Sequence, residues 1–179
     1  MAWGRLARAI VRGLRDRRGV AASEFALLLP VMLALLIGSV ELNNVLLADR
    51  KVTAALQSGA DLVAQARTIS DSEMADIFEA MTLIMEPFAA TDTSISVYSV
   101  NMDSDGNVAI DWQEERGPAP PTPTAELPAG LLNEGESVIV AEMRFDYQPL
   151  FGDLILGTFD IQDKAYLRPR STRNIARVN

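Results

Sequence analysis

With 179 residues, 49% of them hydrophobic and 22% charged, the chain has room for one small folded domain plus an anchor and too little for two cores of ordinary size. It contains no cysteine and no histidine, which excludes disulfides, thiolate nucleophiles, zinc-type sites with nitrogen or sulfur ligands, and every catalytic triad that uses histidine as its base. The net charge of −8 hides an asymmetry: residues 1–19 hold six arginines (Arg5, Arg8, Arg12, Arg15, Arg17, Arg18) against the single Asp16, a net of +5, and the remainder carries −13.

A basic arm can bind nucleic acid, but this one abuts an apolar block, the arrangement of a cytoplasmic flank obeying the positive-inside rule. The expected partner is therefore a lipid bilayer and not a nucleic acid. Phe25 to Val40 (FALLLPVMLALLIGSV) is a run of sixteen uncharged residues. As a helix it covers only ~24 Å, short of the ~30 Å hydrocarbon core. Extending it back to Val20 gives roughly 31 Å at the helical rise and places Glu24 near the cytoplasmic end of the span. A carboxylate costs ~2.5 to 3.5 kcal/mol at the centre of a membrane helix and less near an end, so a chain that keeps one there has a use for it. The alternative is that Glu24 marks the interface and Leu42–Ala48 completes the span on the far side. Pro30 and Gly38, inside the segment, read as tolerated helix irregularities.

Three features follow in strict order: the arginine-rich leader ending Arg17-Arg18-Gly19, then Val20-Ala21-Ala22-Ser23, then Glu24-Phe25 opening the apolar run. This order resembles a type IV prepilin signal. The longer stretch Gly19–Leu42, with its Glu24-Phe25-Ala26, Pro30 and Gly38-x-x-Glu41, resembles the TadE-like family of Tad (tight adherence, Flp) pilus assembly proteins. Val138–Tyr147 and Tyr166–Arg170 are similar, less specifically, to exported domains of TadE/TadG-type proteins. The resemblance implies cleavage between Gly19 and Val20 by a prepilin peptidase, which leaves Glu24 fifth and Phe25 sixth in the mature chain. It also implies that Glu24 docks subunits by pairing with the new amine of a neighbour's Val20, neutralising a charge that is costly to bury alone.

Beyond the membrane the helical pattern continues, with Val45, Val52, Gly59 and Ala66 on one track and Leu42, Leu56 and Val63 on another, so a single helix is expected from about Glu24 to Arg67. Ser70 and Glu73 form an S-x-x-E capping box. They open a second, amphipathic helix with Met74, Ile77, Phe78, Met81, Ile84 and Met85 as its core stripe, closed by Pro87. Residues 94–102 and 108–115 read as a β-hairpin around Asp103-Ser104-Asp105-Gly106-Asn107. The D-x-D-G within that turn lacks the later ligands of a calcium loop, so no metal is expected there. Residues 117–128 (GPAPPTPTAELP) read as an extended, solvated connection. Ser137–Tyr147 alternates Ile139, Ala141, Met143, Phe145 and Tyr147 inward, and Asp160–Leu167 is the last strand. Leu150–Leu156 is apolar enough to fold inward or to meet another subunit. The tail, with Arg168, Arg170, Arg173 and Arg177, reads as a solvated end or a contact for an acidic partner.

The expected fold is α+β: a long N-terminal transmembrane helix running into a small exported domain with a second helix and an antiparallel sheet of about four strands. The expected organisation is a cytoplasmic leader over 1–19, a membrane-spanning segment over 20–48 and an exported domain over 49–179. The protein would be single-pass in the bacterial inner membrane, N-terminus cytoplasmic, with the domain periplasmic or surface-exposed. Its expected role is structural, as a minor pilin-like subunit or assembly factor. Partners would be a prepilin peptidase, other pilins or pseudopilins and Tad assembly proteins, with no cofactor, small-molecule substrate or catalytic residue. The alternatives are a secreted or membrane-anchored periplasmic binding module and a carboxylate-only hydrolase, for which no acidic pair stands out.

Overall fold

The computed structural model describes residues 17–149 and 157–178, with side chains from Val20 onward. The greater part of the arginine-rich leader and the apolar Leu150–Leu156 stretch lie outside the described residues. The described residues fall into two units, the first ending at Asn43 and the second starting at Asn44.

The first unit is helical. It belongs to helix α1 (Arg17–Gln65), built from leucine and alanine, among the strongest helix formers, with Pro30 accommodated inside it. From Val20 to Val40 every side chain is exposed except the half-buried Ile37, and Glu41 is buried. This is the one helix among the described residues long and apolar enough to cross a membrane.

The second unit begins with the remainder of α1. Ala48, Val52, Ala55, Leu56, Ala60, Val63 and Ala64 recur at three- and four-residue spacing and are fully buried, the stripe that a helix packed on a core requires. There follow β1 (Thr68–Ser70), α2 (Asp71–Ile84), a 3-10 turn (Ala90–Asp92), β2 (Thr93–Met102), β3 (Val108–Arg116), β4 (Ser137–Tyr147), β5 (Phe159–Leu167) and β6 (Ala176–Val178). Helix α2 starts on the expected capping box: the Ser70 hydroxyl accepts the Glu73 main-chain N–H, and the Glu73 carboxylate accepts the Ser70 N–H at 2.8 Å. Its Met74, Phe78 and Met81 are buried, so the methionine stripe is core. Gly59 lets the two helices meet, because a Cβ there would overlap Sδ and Cγ of Met81.

Strands β2 to β5 form an antiparallel sheet in the order β3-β2-β4-β5, a fold of the expected α+β class. The β2–β3 hairpin closes through Asp103, whose carboxylate accepts the main-chain N–H groups of Asp105 and Asn107 at 2.9 and 2.8 Å, with Gly106 at φ +83° supplying the left-handed residue. These bonds hold the Asp103 carboxyl below its ordinary value, the Asn107 side chain contributing most. One sheet face carries Ile95, Val97, Ile139, Ala141, Met143, Phe145 and Tyr147 in a core shared with both helices.

Two expectations need correction. The proline-rich segment 117–128 is not simply a solvated connection. The opposite sheet face carries Tyr98, Val100, Val138 and Val140, and Ala125, Leu127, Leu131 and Leu132 of the segment and its continuation pack over them. The alternation in β4 therefore gives charged outer residues only from Glu142 onward, where that cover ends. The arginine-rich tail is not simply a solvated end either. Strand β6 pairs in parallel with β1, Thr68 opposite Ala176 and Ser70 opposite Val178, and Ile175 is fully buried in the core.

Candidate functional site

The residues singled out in the sequence lie together at the start of α1. Gly19 and Val20 are in its first turn, so the bond between them is helical here, and Gly19 lowers the cost of opening that turn relative to alanine. The Ser23 hydroxyl donates to the Val20 carbonyl at 2.8 Å, tying the turn locally. Glu24 is four residues from Val20 and so shares its helix face, and Phe25 follows, 56% exposed. Above them Leu27, Leu28, Val31, Met32, Leu35 and Leu36 are all more than half exposed. In water this much uncovered apolar surface would be unfavourable at ~25 cal/mol per Å2, so the segment needs either lipid or other helices around it.

Three polar clusters in the second unit were not legible in the sequence, because their members come from distant strands. Among the described residues Arg177 is the most heavily used cation. Its guanidinium donates to Asp71 and Glu114, each at 2.6 Å, and to the Ile69 carbonyl at 3.0 Å, 6.0 Å from the Trp112 ring centroid. The Trp112 indole N–H in turn donates to the Ile175 carbonyl at 2.7 Å. On the outer sheet face the Tyr98 hydroxyl donates to the Glu142 carboxylate, which also holds the Lys164 ammonium at 2.6 Å. Burial, reinforced by Glu142, raises the Tyr98 hydroxyl above its ordinary value. Burial also opposes the charge on Lys164, but the hydrogen bond and charge of Glu142 outweigh it and the ammonium is raised as well.

The third cluster fixes the edge strand β5 beside α1. The Asp163 carboxylate accepts the Thr53 hydroxyl at 2.7 Å and the main-chain N–H of Lys164 at 2.8 Å, covering a donor that the edge of a sheet would otherwise leave open. Nearby, Arg170 pairs with Asp61, and its main-chain N–H caps the Ala64 carbonyl at 2.8 Å, with the Ser171 hydroxyl on the Gln65 carbonyl at 3.1 Å. Arg168 pairs with Glu136. Three of the four tail arginines are thus engaged within the chain. The carboxylates of Asp61, Asp71, Glu114, Glu136, Glu142, Asp146 and Asp160 are likewise engaged in ion pairs.

The described residues thus comprise a small α+β domain and a long helix whose apolar side chains are uncovered along Val20 to Val40, consistent with membrane anchoring. Residues 19–61 match the family model described as TadE-like protein, so the chain carries a TadE-like segment. The match runs through the prepilin-like motif and on into the buried stripe of α1, and it points to involvement in Tad pilus assembly. No curated protein and no solved structure matches the chain.

Proposed function

We propose that the protein is a minor pilin-like subunit or assembly factor of a Tad-type pilus, working through subunit packing and not catalysis. Residues 20–48 would anchor it in the bacterial inner membrane with the leader cytoplasmic, and residues 49–179 would be exported. The observation that carries this reading is a carboxylate, Glu24, at the mouth of an exposed apolar helix inside the TadE-like match, one helical turn from the Gly19–Val20 bond. In lipid that charge is tolerable if a cation meets it, and the amine created by cleavage before Val20 is such a cation. Gly19 and Val20 are then the processing site for a prepilin peptidase, and Glu24 and Phe25 its recognition and docking elements.

Mass spectrometry of the N-terminus tests the processing step. A chain beginning at Val20 supports it, one beginning beyond Glu41 indicates a secreted module, and an intact Met1 leaves a plain anchor. Glu24→Ala is expected to abolish or sharply reduce piliation while the protein remains abundant and inserted. Normal pili in that strain would overturn the docking role.

A further inference from the structure

A cavity of about 600 Å3 opens between the C-terminal half of α2, the 3-10 turn and the exit of β3. Its lining is mixed in a specific way. Ile95 and the half-buried Phe88 belong to or pack on the core, and Leu83, 59% exposed, and Pro118 add apolar surface. Thr93 also lines it. Thr93 is 5% exposed, and its hydroxyl is buried without a hydrogen-bond partner in the chain. A buried hydroxyl left unpaired costs about 1 to 3 kcal/mol, which a ligand donor or acceptor reaching it would recover. On the wall formed by α2 and its C-terminal end stand Glu79 and Glu86, both exposed, and neither carboxylate has an ion-pair or hydrogen-bond partner among the described residues. Arg116 lines the far side, with a 3.4 Å bond to the Ala75 carbonyl.

From this geometry we infer that the groove is a docking site for a short segment of a partner polypeptide that presents an apolar side chain next to a lysine or arginine. The apolar group would cover Leu83, Phe88 and Pro118. The cation would meet Glu79 and Glu86, two carboxylates without an ion pair among the described residues, which outnumber the single Arg116 on the far wall. A main-chain or side-chain polar group of the segment would satisfy Thr93. Carboxylates on the rim disfavour anionic lipid headgroups and nucleic acid, and peptide recognition in such grooves combines an apolar anchor with rim charges that set selectivity. The site uses none of the residues assigned to the anchor or to processing, so the inference stands or falls apart from the proposed pilus role.

The test uses the full chain in detergent micelles and fluorescein-labelled short peptides with a Leu-Arg or Phe-Lys centre, alongside charge-inverted Leu-Glu and Phe-Glu versions. Fluorescence anisotropy is expected to show binding of the basic peptides only, weakened by added salt. Glu79→Gln with Glu86→Gln should reduce that affinity about tenfold or more, and Leu83→Ser should reduce it further; all three positions are exposed, so an unchanged melting temperature serves as the folding control. Thr93→Val tests the buried hydroxyl and should weaken binding without loss of charge selectivity. Equal binding of basic and acidic peptides, indifference to the double glutamine variant, or no binding by any of the basic peptides would each overturn the proposal.

Discussion

Gly117 sits at the end of β3 with φ +104°, and a Cβ there would strike the Thr93 carbonyl oxygen and, at 2.7 Å, the Ser94 Cα. Both contacts are with backbone, so neither neighbour can rotate away. Gly117→Ala is therefore expected to destabilise the domain by roughly 1 to 3 kcal/mol, the scale of one strained backbone position, seen as a lowered melting temperature of the solubilised chain. Gly59 is the milder case, because the atoms in its way belong to the Met81 side chain. Arg177 acts in the opposite sense, by what it holds. Its side chain is only 16% exposed and serves Asp71, Glu114 and the Ile69 carbonyl at once. Arg177→Ala leaves Glu114 without this partner, and the expected cost is about 2 to 4 kcal/mol by analogy with broken part-buried pairs. Hydrogen exchange should report early opening of β1 in that variant, and Lys at the same position should restore little, since one ammonium cannot reproduce the guanidinium fork.

At the scale of elements, the α2 cap gives a clean prediction. Ser70→Ala removes the acceptor for the Glu73 N–H and should cost ~1 kcal/mol. The Ser70 main-chain N–H and hydroxyl hold the Glu73 carboxyl below its ordinary value. A depressed carboxyl contributes stability that is present above its unfolded-state value and lost as pH falls through the folded one. Acid titration of the melting temperature should therefore lose part of its slope below about pH 4.5 in Glu73→Gln. This helix and all four strands of the sheet were legible in the sequence, because their signals are local: a cap, a methionine stripe, alternating β-branched residues and an Asp-x-Asp-Gly turn. Strand β6 was not. Its three residues carry no alternation worth the name, and it exists only because β1, with Ile69 more than a hundred residues away, offers an edge and Arg177 offers a fastening. The proline-rich cover was missed for a related reason. Five prolines forbid regular hydrogen bonding but do not forbid Ala125 and Leu127 from burying a sheet face.

At the scale of the whole molecule, the apolar stripe and its lone carboxylate read directly from the sequence, and the structure adds that among the described residues Leu27 to Leu36 are left uncovered apart from neighbouring turns of the same helix. The residues proposed for processing and docking stand out by their order along the chain. The groove at α2 could not be found that way, because Glu79, Thr93 and Arg116 come from three separate elements. Alkaline stability should report the outer sheet face as a unit. Tyr98 and Lys164 both have raised values, so their contribution is fully present below the ordinary tyrosine value near pH 10 and is lost as pH rises through the folded values. Glu142→Gln should flatten that alkaline decline, and an unchanged profile in denaturant melts would sink the assignment.

The parallel pairing of β1 with β6 has a consequence for biogenesis. The first strand of the second unit can find its mate only after the four-stranded sheet between them has been translated, so on a ribosome the edge at Ile69 stays open while the apolar helix has already emerged. Under the export proposed above, a chain whose closing stitch comes this late would pass through a translocation pore before it can lock, and the order of synthesis itself would keep anchoring ahead of folding.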